Sequence, residues 1–285
     1  MKVLKTYKLF IGGQFPRTES ARYYPINDAE GTLIANMCLS SRKDFRNAVV
    51  AARKAQTGWA NKTAYNRSQV LYRLAEMLES RRSSFVEEIT FLGLSKKQAE
   101  QEVDESIDRL VYYAGWCDKY TAIFSSVNPT ASAHFNFSVH EPTGVVAMIA
   151  PDDSPLLGLI SVIAPAICGG NAVVVLASEK LATSSISFAE VIQNSDVPGG
   201  VINILTGNMK ELLPHMASHM DVNALVMARE GMDTASRESV TQNVKRLFDW
   251  TNKVKDQDPY LILDLQEVKT TWHPVQQSVA SGGGY

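Results

Sequence analysis

Short apolar segments that alternate with helical segments constrain the fold of this chain more than any other feature. Residues 144–150 form a continuous apolar run, which is typical of a strand buried on both faces. Further strands are predicted at residues 172–176, 201–205 and 224–227, with a helical pattern between each pair. Because strands that alternate with helices form right-handed βαβ units, the sequence predicts an α/β fold with a parallel sheet.

The helices of this half have recognisable ends. Residues 156–168 are predicted to be helical, and the following glycine pair, Gly169 and Gly170, marks the end of that helix. Three further helices are predicted, over residues 183–193, 210–219 and 234–253. Beyond them, Leu261, Leu263 and Leu265 occupy alternate positions, which predicts a strand over residues 260–272.

The first half has a different pattern. The first forty residues show the alternation and turn residues of short strands, and Ser41 or its neighbour Ser40 can cap a helix that starts there. Helices are predicted over residues 66–82 and 85–92, followed by one long amphipathic helix over residues 98–124. The acidic residues expected on the solvent face of the long helix are Glu100, Glu102, Asp104, Glu105 and Asp108.

Composition excludes several classes of protein. A hydrophobic content of 45% with 20% charged residues is ordinary for a globular protein, and no stretch is long and apolar enough to span a bilayer. The amino terminus does not resemble a secretory signal. Net charge is −2 and the 28 basic residues are scattered, so we expect no nucleic-acid partner. These observations predict a cytoplasmic protein that binds neither membrane nor nucleic acid.

Cysteine and histidine residues offer no obvious metal site. The three cysteines, Cys38, Cys117 and Cys168, form no CxxC or Cys/His cluster and are expected to be buried small hydrophobes. His215 and His219 are four residues apart on a predicted helix and could face one metal ion. Since no third ligand lies nearby in the sequence, a solvated or capping helix face is the favoured interpretation.

Three segments carry a resemblance to a known family. Residues 141–151, EPTGVVAMIAP, resemble the entry strand EPxGVVxxIxPWNxP of the aldehyde dehydrogenase superfamily. Residues 164–174, APAICGGNAVV, with residues 178–179 are similar to its PALxxGNxVVxKPSE segment, and residues 197–203, VPGGVIN, to its GxPxGVxNxVxG. Order and spacing agree over about a hundred residues, which makes the signal specific. The resemblance implies a Rossmann-like nucleotide-binding domain.

The same resemblance implies that catalytic groups are missing. An aldehyde dehydrogenase uses a thiolate nucleophile and an amide that stabilises the oxyanion. Asp153 stands in the place of that asparagine, and no cysteine follows Cys168. Cys168 itself precedes the glycine turn of a core helix, so it is expected to be buried. No catalytic residue is therefore assigned.

Candidate cofactor residues are few. In the family KPSE motif, the lysine that binds the adenosine ribose is replaced by Leu176, whereas Ser178 and Glu179 retain the Ser-Glu pair. With Ile149 and Pro151 at the end of the entry strand, they form the candidate cofactor-binding set. Binding of NAD or NADP is expected to be weak or lost.

A further cofactor segment is ambiguous. Residues 227–230, MARE, align with the FTGS loop of the family, whose small residues open a helix beside the cofactor pyrophosphate. Glu230 at that helix start would repel phosphate and Arg229 would attract it, so the net effect is open.

The end of the chain resembles another part of the family. Residues 265–274, LQEVKTTWHP, are similar to its C-terminal EVKTVW strand, which implies that the catalytic domain is largely absent between residues 250 and 265. With residues 134–141, this strand corresponds to the oligomerisation arm of the family; alternatively, it completes the chain's own sheet. The expected organisation is a β arm and helical layer (1–133), an oligomerisation strand (134–141), a Rossmann-like core (142–258), a C-terminal oligomerisation strand (259–275) and a disordered tail (276–285).

Three functional hypotheses follow. The first is a pseudoenzyme of the aldehyde dehydrogenase family that acts as a structural or regulatory subunit, in homo-oligomers or with a full-length aldehyde dehydrogenase. The second is an active NAD(P)-dependent oxidoreductase with unusual catalytic residues. The third is a nucleotide-binding regulator without chemistry.

Overall fold

The computed structural model describes residues 4–28 and 30–275, so the tail predicted at residues 276–285 lies outside the described residues. Its first half is a small sheet followed by a layer of helices. The sheet has strand order β1-β3-β2 and consists of β1 (Lys5–Tyr7), β2 (Tyr23–Asn27) and β3 (Leu33–Cys38). The helices are α1 (Arg42–Ala60), α2 (Ala64–Ser80), α3 (Arg82–Phe91), α4 (Lys96–Trp116) and α5 (Tyr120–Phe124). Ser41 caps α1, because its side chain accepts a hydrogen bond from the backbone N–H of Asp44.

The second half alternates strands and helices. Two strands, β4 (Ser126–Asn128) and β5 (His134–Pro142), come before the alternating part. The alternating elements are β6 (Val145–Ile149), α6 (Leu157–Cys168), β7 (Ala172–Leu176), α7 (Ala182–Gln193), β8 (Ile202–Leu205), α8 (Met209–Ser218), β9 (Ala224–Met227), α9 (Thr234–Thr241) and β10 (Arg246–Asp249). A short helix, α10 (Tyr260–Asp264), and a long strand, β11 (Gln266–Pro274), complete the described chain.

The central element is a parallel five-stranded sheet with the order β10-β9-β6-β7-β8. Alternate side chains of β6 enter two different cores. Val146 and Met148 pack in a core that includes α2, α3, α4, α6 and α7, whereas Ala147 and Ile149 pack in a core that includes α1 and α8. Both faces of the sheet are therefore covered, which explains the continuous apolar runs and confirms the predicted α/β fold.

The turn after α6 is held by a buried side chain. The helix ends at Cys168, as the glycine pair predicted, and Gly170 adopts a φ of 89° in the left-handed region. Asn171, which is fully buried, accepts a hydrogen bond from the backbone N–H of Gly144 at 2.9 Å. Its amide donates to the carbonyl oxygens of Ala166 at 3.2 Å and Leu265 at 3.0 Å. One amide thus joins the start of β6, the end of α6 and the start of β11.

The third sheet has the order β11-β5-β4 and is antiparallel. β11 pairs with β5 along its whole length, from Gln266 opposite Pro142 to Pro274 opposite His134. The terminal strand therefore pairs within the chain, and β4 covers the other side of β5 at Ser126–Asn128.

Three sequence-based predictions of secondary structure are wrong. The long helix over residues 98–124 is two helices, because the chain turns after Trp116 so that Phe124 stacks on the Trp116 ring with centroids 6.2 Å apart. The helix over 234–253 ends at Thr241. Val244 then takes a positive φ of 55°, which is incompatible with a helix, and β10 follows as an edge strand.

The third error concerns the strand predicted over residues 260–272. Leu261 and Ile262 are consecutive and both buried, a pattern that a half-exposed strand cannot produce, and they belong to α10. The strand itself begins only at Gln266.

Replacing Asn171 with alanine is expected to destabilise the fold. The change leaves the buried N–H of Gly144 without an acceptor and removes two further donated hydrogen bonds, so we expect a loss of about 2–3 kcal/mol in the free energy of unfolding. Urea denaturation followed by circular dichroism measures it. The matched control is Asn194→Ala, which removes an exposed hydrogen bond to the carbonyl of Glu190 and should change stability by less than about 0.5 kcal/mol. Equal effects of the two substitutions would contradict the role assigned to Asn171.

Candidate functional site

An open crevice of about 540 Å³ lies at the carboxyl ends of β6, β9 and β10. Loops that follow parallel strands converge at this edge, which is where open α/β sheets bind ligands. The crevice is lined by Pro151, Asp152, Asp153, Ser154, Leu157, Gly158, Lys180, Ala228, Arg229, Glu230, Thr251, Asn252, Val254 and Lys255.

The four candidate cofactor residues lie at this edge of the sheet. Ile149 is the last residue of β6 and is fully buried, and Pro151 lines the crevice. Ser178 and Glu179 follow β7 and contact the loop after β6 through Asp152. The structure therefore brings the four residues together, and whether they bind a cofactor stays a prediction.

Asp152 is the centre of a polar network that joins three loops. Its Oδ1 accepts hydrogen bonds from the Ser178 hydroxyl at 2.8 Å and the Glu179 backbone N–H at 2.9 Å. Nη1 of Arg229, whose side chain is only 13% exposed, lies 2.7 Å from the same oxygen. Burial alone would raise the pKa of Asp152, but Arg229 and these hydrogen bonds lower it overall. The carboxylate therefore stays ionised and holds the loops after β6, β7 and β9 together.

Asp153 stands next to this network and has a different environment. Its side chain is exposed and lines the crevice. The family resemblance aligns this residue with the asparagine that stabilises the oxyanion. An ionised carboxylate has no hydrogen to donate, so it cannot stabilise a developing negative charge as an amide N–H does.

The amino terminus of α6 is occupied by a carboxylate of the protein itself. Oε1 of Glu102 accepts hydrogen bonds from the Ser154 hydroxyl at 2.6 Å, from Leu156 N at 3.0 Å and from Leu157 N at 2.9 Å. These backbone N–H groups are the ones that a helix offers to an anion. The expectation that Glu102 belongs to the solvent face of its helix is therefore wrong: the side chain is partly buried because it caps α6.

The loop before α9 also differs from the expectation. Helix α9 begins at Thr234, so Glu230 lies in the loop and not at the helix start. The cap is Asp233, whose Oδ1 accepts from the backbone N–H of Ser236 at 2.8 Å. Hydrogen bonds from Ser236 lower the pKa of Asp233. A second helix terminus at this edge of the sheet is thus already bound to an internal carboxylate.

Glu179 contacts a neighbouring helix. Both of its carboxylate oxygens lie 3.2 Å from the side-chain nitrogen of Asn208, which donates to them. Asn208 is also the N-cap of α8, where its oxygen accepts from Lys210 N. The Glu179 side chain is therefore held against the start of α8.

All three cysteines are free and buried, and none lines the crevice. The predicted burial of Cys168 is confirmed: it has no exposed surface, and its Sγ lies 3.6 Å from Sγ of Cys117. Burial, together with Cys117, raises the pKa of the Cys168 thiol well above its usual range. A thiol with that environment is not a nucleophile at neutral pH.

Sequence reasoning missed Asp152 and Glu102. Asp152 was overlooked beside Asp153, because its partner Arg229 is distant in the chain and no spacing rule connects them. The N-cap residue of α6 is Leu156, whose side chain cannot accept a hydrogen bond, and this was the signal that a further acceptor had to come from elsewhere.

The described residues contain neither a candidate metal cluster nor a candidate membrane span. Within residues 4–28 and 30–275, no group of three or more His, Cys, Asp or Glu side chains is placed to hold a metal ion. Across the same ranges, no helix is long and apolar enough to cross a membrane.

Comparison with known proteins identifies relatives. The family model described as the aldehyde dehydrogenase family matches residues 15–247. The mouse protein named cytosolic 10-formyltetrahydrofolate dehydrogenase is 31% identical over 77% of this chain and 25% of its own length. Aldehyde dehydrogenase, cytosolic 1, of Elephantulus edwardii is 31% identical over 84% of this chain and 49% of its own. The chain thus spans half or less of the length of these relatives.

Solved structures agree. PnpE from Pseudomonas sp. WBC-3 superposes with a TM-score of 0.80 and 25% sequence identity, over 86% of this chain and 50% of PnpE. The PnpE structure in complex with nicotinamide adenine dinucleotide matches with the same TM-score over 85% of this chain. The matched motifs, the parallel sheet and these comparisons together show that the chain belongs to the aldehyde dehydrogenase family.

Proposed function

We propose that this chain is a catalytically inactive member of its family that acts as a structural or regulatory subunit, in homo-oligomers or together with a full-length aldehyde dehydrogenase. The observation that carries the proposal is the crevice, whose lining contains no thiol and in which Arg229 is bound to Asp152. A cytoplasmic location belongs to the same proposal and agrees with three free, buried cysteines.

The chemistry of aldehyde oxidation supports this proposal. The reaction needs a nucleophile that adds to the carbonyl carbon and donors that stabilise the resulting oxyanion. In the crevice, Asp153 presents a carboxyl group at the position that the family resemblance assigns to the oxyanion asparagine, whereas Asp152 is paired with Arg229. A negative charge that develops beside an ionised carboxylate is repelled. The hypothesis of an active oxidoreductase therefore finds no supporting residue.

The residues present fit a dinucleotide poorly. Leu176 replaces the lysine that the family resemblance assigns to the ribose, and it is fully buried. Glu102 and Asp233 already satisfy the helix amino termini that attract a pyrophosphate. We infer that the cofactor is bound weakly or not at all, and we derive no chemical step through it. The open crevice volume and the carboxylate of Glu179 are what favour the remaining alternative, a nucleotide-binding regulator.

The β11-β5-β4 sheet supports assembly. Val127 lies opposite Phe137 in the register, and Phe135 is two residues away on the same face. The side chains of Val127 and Phe135 are 69% and 48% exposed, and the Phe135 and Phe137 rings lie 5.7 Å apart. On the other face, Trp272 is 58% exposed. A small sheet with exposed aromatic residues gains stability when another surface covers it.

The purified chain is expected not to oxidise aldehydes with NAD or NADP, because no reactive thiol reaches the crevice. Absorbance of NADH at its usual wavelength measures the reaction, with a full-length aldehyde dehydrogenase as the positive control. Turnover that disappears in Cys168→Ser would overturn the proposal. We expect the wild-type chain and its Cys168→Ser variant to show the same background rate.

Titration calorimetry is expected to detect dinucleotide binding much weaker than in a complete family member measured in parallel. The physical reason is that the two helix amino termini are bound to Glu102 and Asp233. A dissociation constant of about micromolar or tighter for NAD would favour the nucleotide-binding alternative instead.

Light scattering is expected to find the chain as a dimer or larger assembly, or co-eluting with a full-length aldehyde dehydrogenase from the same cells. Phe135→Glu should shift it towards monomer, because a charge is costly in a buried interface. The matched control is Phe91→Glu, on an aromatic residue that is 67% exposed on α3. A monomeric wild type that joins no full-length relative would remove the assembly hypothesis.

A further inference from the structure

A second cavity lies between α1 and α8. It measures about 300 Å³ and shares no lining residue with the crevice. Arg42 and Arg46 enter it from the first turns of α1, and His215 and His219 from the end of α8. Arg42 and Arg46 are four residues apart and point to the same side of α1, whereas His215 lies in the last turn of α8 and His219 is the residue that follows the helix. We call this cavity the α1/α8 groove.

Basic side chains gather in the groove without an acidic partner among the described residues. Among the described residues, neither arginine nor either histidine forms an ion pair within 4 Å. Like charges brought together raise the free energy of the folded protein, and a bound anion relieves that cost. The arginines also explain why the histidine pair does not suit a metal ion, since a cation would be repelled.

Carboxylates on the two helices are already engaged. Asp44 on α1 accepts hydrogen bonds from Thr18 and Ser41 and is buried. Glu211 on α8 binds Arg22, with 2.7 Å between Oε2 and Nη2. Neither side chain is therefore available to neutralise the groove.

Lys245 adds to the positive field. Its Nζ donates to the carbonyl oxygens of Ala217 at 2.7 Å and His219 at 2.9 Å, which end α8. Burial lowers its pKa to about 8. Around His219, the opposing charge comes from Asp221, whose backbone N–H donates to Nδ1 of His219 at 3.2 Å. The hydrogen of a neutral His219 is therefore on Nε2.

Both histidines respond to this field. Burial lowers the pKa of His215, and Arg42 lowers it further. Burial also lowers the pKa of His219, and Lys245, Arg46 and Arg42 add to the effect while Asp221 opposes it. Each imidazole is mainly neutral at pH 7, and it gains a proton more readily once an anion is close.

We propose that the α1/α8 groove is a binding site for a small organic molecule that carries a phosphate group. Two guanidinium groups supply the fork of donors that matches a phosphate, and the two imidazoles add donors from the facing helix. A volume of 300 Å³ is at the lower end of small-molecule sites. The exposed Met220 gives the groove an apolar side, and the buried Phe45 beneath it supports His219, whose ring it meets edge-on with centroids 5.6 Å apart.

The test uses the intact protein with isotopically labelled histidine in phosphate-free buffer. Glycerol phosphate and inorganic phosphate are titrated in separate experiments, with glycerol as the ligand that lacks the phosphate. We expect both phosphate compounds to shift the resonances of His215 and His219 in a saturable way, glycerol phosphate to bind more tightly, and glycerol to shift neither. The resonances are assigned with His215→Gln and His219→Gln.

Matched variants separate a site from a general effect of charge. Arg42→Gln with Arg46→Gln should weaken binding about tenfold or more, because two charge-assisted hydrogen bonds are lost. Lys96→Gln with Lys97→Gln removes the same charge from the first turn of α4 and should leave the affinity within about twofold, since exposed distant charges are screened. Equal losses in the two double variants would overturn the proposal.

The wild-type protein provides a test that needs no variant. Sulfate keeps its charge between about pH 6 and pH 8, so its affinity should increase as the pH falls and the two imidazoles take up protons. If glycerol phosphate, inorganic phosphate and sulfate all fail to shift the resonances of His215 and His219, the proposal is overturned. Tighter binding of inorganic phosphate than of glycerol phosphate would overturn the proposal that the ligand is an organic molecule.

Discussion

The burial of both faces of the parallel sheet is the constraint on which the rest of this structure depends. Strands such as β6 and β7 are covered completely, so neither face tolerates a polar side chain and the ladder must satisfy the backbone. Two helical layers are then obligatory, and they leave only the strand ends open. The crevice and the loops that line it are a consequence of that arrangement.

At those strand ends, carboxylates of the protein bind an arginine and the amino termini of two helices. Asp152 binds Arg229, Glu102 caps α6 and Asp233 caps α9. Each contact satisfies buried or terminal polar groups at a modest gain in stability. The loops at the strand ends are thus fixed by charges that the protein itself supplies.

The sequence was informative where structure is local. The buried strands and the end of α6 before Gly169 were predictable, because the spacing of apolar residues and the turns made by glycine depend only on nearby residues. β10 was not, because its sequence RLFD forms a strand only by pairing with β9. Asp152 and Glu102 were not predictable either, since their partners come together only when the sheet has formed.

Residues 250–264 form a short connection whose two sides are clamped. Oδ2 of Asp264 accepts from the Trp250 indole at 2.9 Å and lies 3.2 Å from Nζ of Lys253. The entry and exit of this segment are thus fixed side by side, and Val254, Leu261 and Ile262 anchor it in the core. The closure entropy of a loop rises slowly with its length. A change of chain length at the exposed Lys255, Asp256 and Gln257 would therefore cost little, because contacts on either side hold the sheet and the terminal strand in register.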